Sequence, residues 1–279
     1  MGRKSRHHYI PKCYLKGFTE GGENNSKFWC VPINNDSPFQ TSPNDSCVIR
    51  DYYTVQHLNS LIVENWYAEI IEPQVSKAIE QIKKNSCLPI QEEMQYLILL
   101  LATLYLRVPS FRESMEIPMR RTKEIIDSMS QDVRISNKDE FSYNQTDLIK
   151  SELKLINKIK KCLSNKYYQL FIIENAEDQV ITSDRPFILS HLKGGQNFHF
   201  GLNTPNIEIC VPITKNVIII ARNENLNEGT FVARKEMIGL INTKLCLSAD
   251  RFLYSSNTNI LLVDDDIRTY KLNIINNKH

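Results

Sequence analysis

The hydrophobic pattern of this 279-residue chain changes period near Lys166, and that change limits the fold more than any motif does. Upstream, over about residues 58–165, apolar residues recur every three to five positions, the spacing that gives a helix one buried face. Downstream, over about 166–263, KYYQLFIIEN, QVITSD, IEICVPIT and NVIIIAR are β-branched and aromatic stretches separated by short turns. A run of helices followed by a run of strands builds an α+β fold, not alternating units around a parallel sheet. The reading is one α+β domain over residues 1–279, with N-terminal strands and a helical middle packed against a C-terminal, mostly antiparallel sheet.

Individual elements follow from the same patterns. Lys27–Ile33 and Cys47–Val55 read as strands, with a turn-rich loop over Asn34–Ser46 between them. Ile62, Trp66, Ile70, Val75, Ile79 and Ile82 form an apolar helical series, and Pro73 within it calls for a kink or a split. Met94–Leu106 (MQYLILLLATLYL) is almost entirely apolar but too short to cross a bilayer, so it predicts a core helix over Gln91–Arg107, stopped by Pro109. Two more polar helices follow over Glu116–Ser130 and Thr146–Leu163, with a polar loop between them. IEICVPIT-KN-VIIIAR reads as a hairpin. A helix over Lys235–Ala249 and short strands over Phe252–Tyr254 and Asn259–Val263 complete the chain.

Charge and cysteines exclude several classes. The net charge is +2, from 34 Lys and Arg against 32 Asp and Glu, so the chain is no polybasic nucleic-acid coat. Seven cysteines are scattered with no C-x-x-C pair, which argues against a structural zinc site and for reduced core thiols. The basic start MGRKSRHHYIPK lacks the apolar stretch of a secretion signal. These features place the protein in the cytoplasm, with no membrane partner.

Two phrases about 170 residues apart, HHYIPKCYLKGF and ITSDRPF, resemble the signature motifs of the domain-of-unknown-function family 4238. Between and after them come RDYYT (50–54), an acidic helix with Glu64 and Glu72, LRVPSFR around Arg107, VPIT around Pro212 and INTKLCLSADRFLY, in the family's order. The resemblance spans nearly the whole chain and implies one domain, but it carries no activity. Arg185 stands where that motif more often has Asn.

Several residues invite a chemical reading beside a structural one. His7 and His8 suit proton transfer near neutral pH, yet adjacent residues on an extended chain face opposite ways, and either can simply anchor the segment. HHYIP resembles the histidine phrase of HNH nucleases, but the next histidine is His57, too far on for that compact unit. Asp184 ends an apolar strand in a Ser-Asp-x-Pro turn with Ser183, where a carboxylate can bind a cation, orient a histidine, or cap the turn. Arg107 ends an apolar helix and needs a partner if buried, either Glu64, Glu69 or Glu72 in a salt bridge or an anionic ligand. Glu69 and Glu72 share a helical face with Glu64 two turns earlier, which suits a divalent cation or a solvated acidic surface. Lys83, Lys84, Lys158, Lys160 and Lys161 read as solvated helix surface, and His191 and His199 as loop residues.

No Walker A or G-x-G-x-x-G loop, H-E-x-x-H or G-x-S-x-G phrase is present. Three functions remain in view. The first is a metal-assisted phosphodiesterase or nuclease acting on nucleic acid or nucleotides. In it His7, His8, Arg107 and Asp184 are catalytic, and Glu64, Glu72 and Asp184 hold Mg²⁺ or Mn²⁺, with Arg6, Tyr9, Lys12 and Ser183 on the substrate. The second is a non-enzymatic module for nucleic acid or a partner protein, contacted by the basic aromatic start from Arg3 to Lys16. In the third, the same polar residues are a buried lock between the two halves.

Overall fold

The computed structural model describes residues 6–55, 62–128, 144–193 and 201–275. The α+β expectation holds: a helical middle lies between strands contributed by both ends of the chain. Strand β1 (Arg6–His8) pairs antiparallel with β4 (Val48–Arg50). Strands β2 (Phe28–Pro32) and β3 (Phe39–Thr41) join β6 (Thr182–Ser183) and β11 (Phe252–Ser255) in a sheet of order β3-β2-β11-β6. All its pairings are antiparallel, and they set Leu253 opposite both Val31 and Ser183. Strand β2, ITSD and SADRFLY are thereby placed side by side.

A second sheet has the order β10-β5-β9-β8-β7, built from β5 (Tyr167–Ile172), β7 (Ile188–His191), β8 (Ile207–Thr214), β9 (Val217–Arg222) and β10 (Gly229–Val232). Only the β10–β5 pair is parallel. The β8–β9 hairpin turns at Lys215–Asn216, as the spacing predicts. Every residue of β8 is buried, which explains why its sequence runs apolar without alternation. Helix α7 (Lys235–Ser248) packs on the hairpin of β12 (Asn259–Val263) and β13 (Thr269–Asn273).

After the short helix α1 (Lys12–Leu15), the helical part begins with α2 (Ile62–Trp66), a π-helical turn over Tyr67–Ile71, and α3 (Glu72–Asn85). Pro73 accounts for the wide turn, because it has no N–H to offer the preceding turn. Gln74 Nε2 donates to the Ile70 carbonyl at 2.9 Å. The turn keeps a four-residue spacing on one face, so Val63, Tyr67, Ile71 and Val75 are buried while Ile62 and Ile70 are exposed. The first half of the expected apolar series is thus one residue out of register.

Helix α4 (Glu92–Leu106) is buried continuously from Leu97 to Leu104, as a core helix should be. Pro109 starts α5 (Pro109–Ser128) as well as ending α4, since a first-turn residue needs no N–H partner. The helix therefore begins seven residues before the expected Glu116, and the two helices meet at 53°. Asn144 caps α6 (Gln145–Ser164) by accepting the Asp147 N–H at 3.2 Å. The expected strand over Cys47–Val55 shrinks to β4, because Cys47 (φ 53°) and Asp51 (φ 56°) are left-handed. The expected polar loop between α5 and α6 falls mainly in 129–143, outside the described residues, as do His57 and His199. One apolar cluster runs from Tyr9 to Ile274 through both sheets and the helices. Among the described residues no single helix is long and apolar enough to cross a membrane.

Candidate functional site

The HHYIPK segment enters the core rather than lying on the surface. Arg6 is exposed, His7 buried and His8 half-buried, the alternation a strand imposes. Tyr9, Ile10, Tyr14, Leu15 and Phe18 are all buried, so the expected platform of exposed aromatic and basic residues does not form over this stretch. Arg3 and Lys4 lie outside the described residues. Arg6 pairs with Asp45 at 3.1 Å in solvent, and Lys12 is half-buried.

His7 Nδ1 accepts the Tyr53 N–H at 2.7 Å, and its ring stacks on that of Tyr53. The neutral ring therefore carries its proton on Nε2, which is buried with no partner among the described residues. Burial lowers the His7 pKa below 6.5. His8 Nε2 lies 3.2 Å from the Asn44 carbonyl, so it donates there. Burial, reinforced by the charges of Lys12 and Arg107, lowers the His8 pKa to about 4. Both histidines are neutral at pH 7.

Because both folded values lie below the unfolded 6.5, the unfolded chain gains protons first as pH falls. The stabilising contribution of His8 is full above about pH 6.5 and is lost toward about pH 4, and that of His7 falls in the same direction. His8→Gln is therefore expected to flatten the fall in urea midpoint between pH 7 and pH 5. An identical slope in wild type and variant would contradict this assignment.

Arg107 is fully buried at the junction of α4 and α5. Its Nε donates to the Tyr53 hydroxyl at 2.9 Å and its Nη2 donates to the His8 carbonyl. Nη1 lies 3.8 Å from Glu72 Oε1, and the guanidinium sits 3.9 Å from the centre of the Tyr67 ring. The salt bridge expected for Arg107 thus goes to Glu72, while Glu69 points to solvent. Glu64 is half-buried and accepts the His8 backbone N–H; burial raises its carboxyl pKa, and the Arg107 charge opposes the rise.

A second buried pair adjoins this one, and sequence reasoning missed it. Arg112 donates from Nε and Nη2 to Glu152 Oε2 at 2.9 and 2.8 Å, and from Nη1 to the Tyr52 carbonyl at 2.7 Å. Tyr67 donates to the other oxygen of Glu152 at 2.8 Å. A signal was present: Glu152 lies four residues from both Leu148 and Ile156, on the buried face of α6.

Asp184 belongs to a different cluster. Its Oδ1 accepts the Asp250 N–H at 3.0 Å, and Oδ2 lies 3.9 Å from Arg251 Nε. Burial raises its pKa to about 6 against the backbone N–H of Asp250. Its pH dependence therefore opposes that of the histidines: stability falls as pH rises from 3.8 to about 6. The local turn is capped not by Asp184 but by Ser183, whose Oγ accepts the Arg185 N–H at 3.1 Å. The Tyr9 hydroxyl accepts from Arg251 Nη2 at 3.5 Å. Tyr9, Cys47, Arg251 and Tyr254 wall a cavity of about 150 Å³. Arg251 is a further residue that sequence reasoning did not single out.

The fold thus brings His7, His8, Glu64, Glu72 and Arg107 together around Tyr53 and Tyr67, and Asp184 and Ser183 together with Tyr9 and Arg251. It does not gather Glu64, Glu72 and Asp184 into one ligand set. Among the described residues no group of three or more His, Cys, Asp or Glu is arranged to hold a metal ion. Glu72 is instead turned to a guanidinium and Asp184 to a backbone N–H.

A family model described as "Protein of unknown function (DUF4238)" matches residues 6–259. The chain belongs to this family. The DUF4238 match starts at Arg6, just before HHYIPK, and extends past SADRFLY, so it covers both clusters. No curated protein and no solved structure matches the chain.

Proposed function

We propose that this protein binds nucleic acid or a nucleotide without cleaving it, and that His7, His8, Arg107 and Asp184 form its internal framework. Arg107 carries this reading. A guanidinium that stabilises a phosphate in a transition state has to touch it. This one is sealed in the core, with Nε spent on a tyrosine hydroxyl and Nη2 on a backbone carbonyl.

The surface that suits a polyanion lies on α6. Lys150, Lys154, Lys158 and Lys161 are exposed at spacings of three and four, so they share one face of the helix. The helix has five lysines against Asp147 and Glu152, a balance of +3 where the whole chain has +2. Glu152, moreover, is spent on Arg112. Such a row tracks a phosphate backbone without reading sequence. The seven free cysteines suit action in the reducing cytoplasm.

Lys154→Glu with Lys158→Glu is expected to weaken binding of a labelled single strand at least about tenfold. It should also flatten the salt dependence by about 1.4 log units per decade, the share of two phosphate contacts. An unchanged affinity and slope would refute this surface.

One observation favours hydrolysis as a second reading. Asp184, with a pKa of about 6, could exchange a proton near neutral pH, and it sits beside Arg251, which lines the small cavity. That chemistry would require Asp184 to reach a substrate past Tyr9 and Arg251, for the carboxyl is only 2% exposed.

A further inference from the structure

Two cavities lie side by side and share Tyr105 as a wall. The first, about 420 Å³, is bounded by Tyr105, Ser110 and Phe111 at the α4–α5 bend and by Arg185 and Phe187 ahead of β7. The second, about 500 Å³, reaches Ile159 and Cys162 of α6. Those two residues directly follow Lys158 and Lys161, so this second cavity adjoins the lysine row.

Three features of the first cavity are those of a binding site. Its wall is aromatic: the Tyr105 ring packs 5.3 Å from that of Phe111 and 4.9 Å from that of Phe187. Ser110 Oγ is buried with no hydrogen-bond partner among the described residues, although a hydroxyl can both donate and accept. Arg185 is half-exposed, and its Nη1 lies 3.6 Å from one oxygen of Asp250. Among the described residues most of its five guanidinium N–H groups have no hydrogen-bond partner and can bind an anion. The volume falls within the roughly 300–1,000 Å³ of small-ligand pockets.

We propose that this cavity receives one unstacked base, with its ring against Tyr105, Phe111 and Phe187, an edge group on Ser110, and the attached phosphate on Arg185. The rest of the strand then passes the second cavity toward the lysines of α6. Aromatic faces accept any base, so the site selects single-stranded ends over duplex and tolerates sequence. This inference rests on the nucleic-acid reading above and assigns it a second, separable contact.

Titration with adenosine 5′-monophosphate and with adenosine, beside anisotropy with a labelled single strand, tests it in wild type, Arg185→Gln and Ser110→Leu. The monophosphate is expected to bind at least about tenfold more tightly than the nucleoside, and Arg185→Gln to abolish that difference. Ser110→Leu fills the cavity and should weaken both the monophosphate and the strand. Circular dichroism establishes that each variant is folded, and Arg185, half-exposed, can be replaced without opening the core. If the strand binds through the lysines but neither cavity variant changes any affinity, the cavity proposal falls and the lysine face stands. If the monophosphate binds with the expected Arg185 dependence but no strand binds, the nucleotide site stands and the lysine face falls. If neither ligand binds, both are overturned.

Discussion

Arg107→Ala is expected to destabilise the protein by about 3–5 kcal/mol, the cost of breaking a buried ion pair from one side. The substitution strips the His8 carbonyl and the Tyr53 hydroxyl of their donor and leaves Glu72 without its cation. It also empties the space over the Tyr67 ring. Against a total of about 5–15 kcal/mol for a typical fold, such a loss brings the unfolded state within reach in mild urea. Arg107→Lys is not expected to rescue it. A single ammonium cannot serve the hydroxyl, the carbonyl and the carboxylate from one plane, nor lie flat between two tyrosines. Urea unfolding checks this. A loss of less than about 1 kcal/mol, the size of an exposed ion pair, would show that Arg107 is not the internal tie described.

The second large effect is expected at Arg112 and Glu152, with a different signature. Either single change, Arg112→Met or Glu152→Leu, should cost about 3–5 kcal/mol, because it leaves one charge buried and unpaired. The double variant should recover most of that loss, since two apolar side chains of similar volume remove both charges together. A double-mutant cycle reads the coupling directly. Additive losses would mean that the pair is solvated enough to act as two independent surface charges. The Tyr52 carbonyl and Tyr67 hydroxyl each lose a partner even in the double variant, so recovery should be incomplete.

These two networks also show what the sequence made legible. Strong periodicity located α4, α6, α7 and the β8–β9 hairpin within a residue or two, because each is decided by its own local pattern. Pro73 was legible as a disturbance but not as a π-helical turn, and that turn set which of Ile62 and Val63 faces inward. Arg107 was legible as a charge that needs a partner if buried, since it closes an apolar helix. Its bond to the His8 carbonyl was not, because backbone groups carry no sequence signature. Asp184 illustrates the same limit. A Ser-Asp-x-Pro phrase predicts a local cap, and Ser183 supplies one, while Asp184 turns to an N–H 66 residues away. The expected metal set is not gathered among the described residues for a related reason. Helical spacing can put Glu64 and Glu72 near each other, but only the packed fold decides that a guanidinium lies beside Glu72.

The most direct test of the central claim follows one labelled single strand with purified protein, with and without Mg²⁺ or Mn²⁺, reading both retention and strand length. The account predicts a retained strand of unchanged length in every condition, with affinity that falls as salt rises. Metal-dependent shortening of the strand that disappears in a folded Asp184→Asn variant would contradict it, and would make the Asp184–Arg251 cluster a hydrolytic centre.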